Sequence, residues 1–158
     1  MFSQLLNFFD KRNITYLLAD NGVTAALVNV KATNIDFRLI SEVDIVQNRI
    51  MFFSIFPYQL PQESYPEVTE FITAVNAGRF LGNFELYYGN GELRYKTSLD
   101  YTDGEVSEAM IEKLFNVPIT MLDIFAPFID KVAKKEITPL DAYTESTQNQ
   151  QAQQQPAQ

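Results

Sequence analysis

Two short runs of alternating residues, separated by glycines, restrict the possible folds of this chain more than any other feature. The residues that share one parity are Phe84, Leu86 and Tyr88 in the first run and Leu93, Tyr95 and Thr97 in the second. Alternation with a period of two is typical of a strand with one buried face. Gly89-Asn90-Gly91 between the runs supplies residues that tolerate positive φ, so residues 83–96 are predicted to form a β-hairpin.

Other strand patterns lie upstream of this hairpin. Ile35, Phe37 and Leu39 alternate with Asp36 and Arg38. Residues 50–56 are apolar at both parities, which predicts a central strand, and residues 20–22 are predicted to form a turn.

Helical periodicity appears before, between and after these strands. Residues 2–9 carry apolar side chains at helical spacing, and Ser64 with Glu67 has the spacing of a capping box for a second helix. Residues 111–132 are again helical in pattern but contain Pro118 and Pro127, which predicts two helices or one kinked helix. The expected fold is α+β, an antiparallel sheet of about five strands flanked by helices.

The apolar pattern ends near residue 138. Residues 1–137 are therefore predicted to form one domain, and residues 138–158, which end in a glutamine-rich stretch, a disordered tail.

The composition argues against most kinds of catalysis. The chain has no cysteine and no histidine, so it cannot have a thiol nucleophile, an imidazole acid or base, or a zinc site of those ligands. A net charge of −8 disfavours nucleic acid and anionic membranes. We expect a cytoplasmic protein that is not an enzyme and needs no cofactor, with no signal peptide and no membrane span.

An acidic cluster near residue 100 is the one candidate metal site. Asp100, Asp103 and Glu105 lie close together beside Gly104 and could bind Ca²⁺ or Mg²⁺. The cluster lacks the spacing of an EF-hand, and acidic residues also commonly precede a helix because they favour its dipole. The second explanation is the preferred one.

The aromatic residues suggest a surface that another protein covers. Helices on one side of a sheet cover only one face, so some rings on the strands must lie on the other. The candidate partner-binding residues are Phe53, Tyr58, Tyr87, Arg94 and Tyr95. The alternative is that these rings belong to a core covered on both sides. If a partner protomer covers the second face, the chain is a homodimer.

The hairpin and its flanks also resemble the YbjN family of bacterial proteins. The resemblance rests on Asn76, on residues 82–86 and 91–96, and on the positions of Leu60, Pro61 and Pro127; it covers about residues 21–134. Family members often carry Arg where Lys96 stands here, and the long tail is not a family feature.

This resemblance implies a type III secretion chaperone-like fold, usually dimeric, in proteins described as sensory-transduction regulators without established catalysis. The expected function is a non-enzymatic protein-binding module, either chaperone-like or a regulatory adaptor, for an unidentified partner. The alternatives are a structural subunit of a larger assembly and an acid-based or metal-dependent hydrolase.

Overall fold

A computed structural model describes residues 1–19 and 24–154, with the backbone alone for 150–154. The turn predicted at residues 20–22 lies outside the described residues. The helices are α1 (Phe2–Lys11), α2 (Tyr65–Ala77), α3 (Glu108–Ala133) and α4 (Pro139–Gln154), and the strands are β1 (Leu17–Leu18), β2 (Ala25–Lys31), β3 (Asp36–Asp44), β4 (Arg49–Ile55), β5 (Asn83–Tyr87) and β6 (Glu92–Asp100).

The strands form a single antiparallel sheet, which confirms the predicted α+β class. Its order is β1-β2-β3-β4-β6-β5, so the apolar segment β4 lies inside the sheet as predicted. The sheet has six strands rather than about five, because Leu17 and Leu18 add a two-residue strand that pairs with Leu27 and Ala26. Two residues are too few to show an alternating pattern in the sequence.

The predicted hairpin is the β5–β6 pair, in which Glu85 lies opposite Arg94. Its loop is longer than a tight two-residue turn, since the Gly91 amide donates to the Tyr87 carbonyl at 2.8 Å. Gly91 has a φ of 75°, whereas Gly89 does not have a positive φ. Gly91 also lies against the segment before α2, because the Leu60 amide donates a hydrogen bond to the Gly91 carbonyl at 2.8 Å.

One face of the sheet, called the inner face below, carries the core. Its strand residues pack with the helices in two clusters of buried side chains. In the first cluster the ring of Phe84 lies 4.8 Å from Tyr95 and 5.8 Å from Phe125. In the second, Phe115 of α3 contacts Phe52 of β4 and Phe8 of α1. Helices α1, α2 and α3 therefore lie on the same side of the sheet.

The start of α2 departs from expectation, whereas α3 is one of the two predicted alternatives. The capping box does not form, because the Ser64 hydroxyl donates to the Pro61 carbonyl at 2.8 Å, within a short 3₁₀ turn that precedes α2. Residues 108–133 form one continuous helix that contains both Pro118 and Pro127, so of the two predicted alternatives the structure has a single helix. Ser107 caps the N-terminus of this helix, and its hydroxyl accepts a hydrogen bond from the Met110 amide at 3.2 Å.

The structure has a helix, α4, where the sequence predicted a disordered tail from residue 138. Ala142 is fully buried in the first core cluster and Ser146 is almost fully buried. Tyr143 packs against the same cluster. The physical reason is that small and hydroxyl-bearing side chains allow a close approach to the other helices without an apolar stripe. The final part of the glutamine-rich segment, residues 155–158, lies outside the described residues.

At the β5 edge of the sheet, a side chain of α2 forms hydrogen bonds with the strand backbone. The Asn76 amide group accepts a hydrogen bond from the Phe84 amide at 2.8 Å and donates to the Phe84 carbonyl at 3.0 Å. Asn76 thus satisfies both backbone groups that an added strand would use at this residue.

Candidate functional site

The second face of the sheet, called the outer face below, has an apolar centre. Strand register places Leu17, Leu27, Ile40 and Phe53 side by side on four neighbouring strands. None of these four side chains belongs to either core cluster of the described residues. Leu17 is 65% exposed, and Leu27 and Ile40 are half-buried. In the part of the chain that the structure describes, no helix covers this row.

Phe53 is well shielded without a helix above it. It is 8% exposed, and the guanidinium carbon of Arg94 lies 4.5 Å from its ring centroid. Arg94 is held there by Glu85, whose carboxylate accepts from Arg94 Nε at 2.9 Å and also from Lys96 Nζ. A cation over an aromatic face stabilises by electrostatic attraction to the ring. The outer face therefore has an ordered polar border beside its apolar row.

The charge state of this border is fixed by the same contacts. Burial raises the pKa of the Glu85 carboxyl, but the hydrogen bonds from Lys96 and Arg94 outweigh burial and hold that pKa below its ordinary value. Glu85 is consequently ionised at neutral pH and pairs with both cations, and Arg94 has a second carboxylate neighbour in Glu92 at 3.7 Å.

The outer face is nearly neutral in an otherwise acidic chain. Every charged strand residue lies on this face by register. The five cations are Lys31, Arg38, Arg49, Arg94 and Lys96, and the six anions are Asp36, Glu42, Asp44, Glu85, Glu92 and Asp100. These strands thus contribute −1 of the total charge of −8, and the remainder of the chain contributes −7. Another acidic protein is repelled less by the outer face than by the helical side.

Three of the five predicted partner-binding residues lie on the outer face. Phe53 and Arg94 are in contact near its centre, and Tyr87 lies at the end of β5, where it is 65% exposed. Tyr58 lies in the loop after β4, on the helical side, where its hydroxyl donates to Asp130 of α3.

The fifth, Tyr95, is a core residue and not part of a surface. It is fully buried on the inner face, its hydroxyl donates to the Leu81 carbonyl at 2.7 Å, and burial raises its pKa to about 12. The alternation with Arg94 and Lys96 already placed Tyr95 on the opposite face from those two residues.

Sequence reasoning missed Leu17, Leu27 and Ile40. The available signal is the parity of β3, because Ile40 has the same parity as the charged residues Asp36 and Arg38. One apolar side chain on the charged face of a strand is common, but a contiguous row of them across several strands is typical of a covered surface. Leu27 and Leu17 become visible only through the register that aligns them with Ile40.

The acidic cluster forms a turn between β6 and α3. Asp100 accepts from the Thr102 hydroxyl at 2.6 Å and from the Thr102 amide at 3.0 Å, and these hydrogen bonds lower its pKa. Among the described residues, no group of three or more His, Cys, Asp or Glu side chains is placed to hold a metal ion.

No helix in residues 1–19 and 24–154 is both long and apolar enough to span a bilayer.

We expect neither EDTA nor millimolar Ca²⁺ to change the melting temperature of the chain. The reason is that Asp100 already has hydrogen-bond donors and the sequence around it lacks a coordination pattern. Thermal unfolding followed by circular dichroism measures this. A Ca²⁺-dependent rise in melting temperature that Asp103→Asn abolishes would show that the cluster binds the ion.

Comparison with known proteins gives one family and one fold. Residues 2–131 match the model of the YbjN family, described as "Putative bacterial sensory transduction regulator". The structure is similar to the crystal structure of YbjN from E. coli, titled a "putative transcription regulator", with a TM-score of 0.59 and 15% sequence identity. The match covers 85% of this chain and 93% of that chain. No curated protein matches.

Proposed function

Since the chain belongs to the YbjN family, we propose that it is a regulatory protein that acts by binding another protein chain, not by catalysis, and that the outer face of its sheet makes the contact. The observation that carries the proposal is the apolar row of Leu17, Leu27, Ile40 and Phe53, which lies outside both core clusters of the described residues. The family description supports a regulatory role and names no reaction.

The composition of the face supports protein contact over other partners. Its apolar centre and charged border resemble the core and rim of a protein interface. The near balance of charge gives little attraction for a phosphate backbone, and the chain as a whole is acidic. The proposal places this activity in the cytoplasm, the compartment expected from the sequence.

A photo-crosslinking amino acid at Leu27 tests the contact surface in living cells. Leu27 lies in the apolar row of the outer face, between Leu17 and Ile40, and Leu140, an exposed residue of α4, is the matched control position. We expect a discrete protein adduct from position 27 and none from position 140. The adduct should disappear when Ile40→Asp is added, since a carboxylate in the apolar row resists burial.

Two results would contradict the proposal. One is the absence of an adduct at position 27 under conditions in which the probe is incorporated and the chain is folded. The other is the same set of adducts from positions 27 and 140, which would mean that the outer face is not a preferred contact surface. Mass spectrometry of the adduct identifies the bound chain.

A further inference from the structure

Strand β6 runs past the start of β5, and this leaves a notch in the edge of the sheet beside residues 97–100. The pairing of β5 with β6 ends at Asn83 and Lys96, whereas β6 continues to Asp100. Before Asn83 the chain leaves the line of the strand at Gly82, whose φ is 79°. In the part of the chain that the structure describes, no strand therefore lies beside the last residues of β6 on the β5 side.

The backbone of Ser98 directs one N–H and one C=O group into the notch. The Leu93 carbonyl accepts from the Phe56 amide at 2.9 Å, on the β4 side. On the same side, the Tyr101 amide donates to the Asn48 carbonyl at 2.8 Å. Backbone groups alternate between the two sides of an antiparallel strand, and Ser98 is an odd number of residues from both Leu93 and Tyr101. Its groups therefore face the β5 side, where no described residue pairs with them through its backbone.

An apolar groove of about 280 Å³ lies next to these backbone groups. Leu81, Leu99 and Leu114 line it, and Phe80 and Met110 lie at its rim. The Phe80 ring is fully exposed and Met110 is 39% exposed. A water molecule takes up about 30 Å³ of liquid volume, so the groove has room for apolar side chains.

We propose that the notch binds an extended peptide segment of another protein, which adds to β6 as one short antiparallel strand. One peptide residue exchanges backbone hydrogen bonds with Ser98, and such bonds give affinity for a main chain. The peptide residues on either side of it face the helices, as Thr97 and Leu99 do, so the groove selects apolar side chains there. This site is separate from the outer face and does not depend on the proposed function.

Lys113 sets the charge of the peptide. It is exposed and is the only charged side chain among the described residues that line the groove. It forms no ion pair with any residue that the structure describes. An acidic residue beside the apolar ones therefore complements Lys113. Because Asn76 occupies the backbone groups of Phe84 on β5, the added strand is short.

A phage-displayed library of random twelve-residue peptides, selected on the full chain, tests the site. Fluorescence anisotropy of the selected peptides then gives the dissociation constant for each variant. Phe80→Ala and Lys113→Glu should each raise this constant at least about 5-fold, and both positions are exposed, so the fold should persist. The matched controls Leu140→Ala and Lys131→Glu, at exposed positions elsewhere, should change it by less than about 2-fold.

N-methylation of single peptide amides separates strand addition from docking of side chains alone. Methylation of the residue that pairs with Ser98 should weaken binding at least about 10-fold, because it removes the donor to the Ser98 carbonyl. Methylation of either neighbour should weaken it by less than about 3-fold, because those amides point away from β6.

Four results would overturn the proposal. The first is that no peptide is selected, and the second is that Phe80→Ala and Lys113→Glu bind the selected peptides as tightly as the unchanged chain. The third is equal tolerance of methylation at every peptide position, which contradicts strand addition. The fourth is binding that Ile40→Asp weakens and Phe80→Ala does not, which places the peptide on the outer face and leaves the proposed function standing.

Discussion

Replacing Gly91 with alanine is expected to lower the free energy of unfolding by about 2 to 5 kcal/mol. A Cβ built at this position lies 2.3 Å from the Leu60 carbonyl oxygen and 2.9 Å from the Tyr65 hydroxyl. The backbone φ of 75° accounts for about 1 to 2 kcal/mol of this loss, because a residue with a side chain is strained in that conformation. Moving the hairpin loop away from Leu60 accounts for about 1 to 3 kcal/mol more. Urea unfolding followed by circular dichroism measures the loss.

Gly104→Ala is the matched control for this prediction. A Cβ at Gly104 has no neighbour within 4 Å, and its φ is not in the left-handed region. The control should therefore change the free energy of unfolding by less than about 0.5 kcal/mol. If Gly91→Ala is as stable as this control, the contact between the hairpin loop and residues 60–65 is not a stabilising part of the fold.

Truncation after Ile137 is expected to lower the melting temperature by roughly 5 to 10 °C, whereas truncation after Ser146 should leave it nearly unchanged. The first change removes α4 and uncovers the surface that Ala142, Tyr143 and Ser146 pack against. Loss of that burial lowers the free energy of unfolding by about 2 to 4 kcal/mol. Each kcal/mol lowers the melting temperature of a chain of this size by about 2 to 4 °C.

The two truncated chains differ only in residues 138–146, which contain the first turns of α4, so each chain is the control for the other. Differential scanning calorimetry of both chains at one concentration measures the difference. Equal melting temperatures would mean that α4 contributes nothing to stability and that the domain ends near residue 137, as the sequence alone predicts.

The sequence predicted those parts of the fold that carry a clear period. The hairpin, the central strand β4 and the alternation of Phe37 and Leu39 with Asp36 and Arg38 all read directly as strands. Helix α4 did not, because its contacts depend on small residues that pack through backbone proximity. Ala142 and Ser146 are buried without forming an apolar stripe. No rule based on hydrophobic spacing would select them.

The candidate site was predictable only in part for a different reason. The sequence predicts Phe53 and Arg94 as single contact residues. The surface to which they belong is formed by several strands, so it cannot be recognised from one strand alone. Leu27 and Leu17 join it through a register that the sequence does not encode locally. Tyr95 has the aromatic type expected of a contact residue, but its parity places it in the core. Parity within each strand, followed across the sheet, would have found the row of Ile40 and Phe53.

The Asn76 side chain at the edge of β5 has a consequence for how many copies can join. A sheet with an open edge can recruit strands without limit, which leads to fibres and aggregates. Asn76 occupies the backbone groups of Phe84 at that edge, so lateral growth is blocked there. The opposite edge strand, β1, has only two residues, Leu17 and Leu18, which offer little backbone to an added strand. Strand addition is therefore restricted at both edges of the sheet.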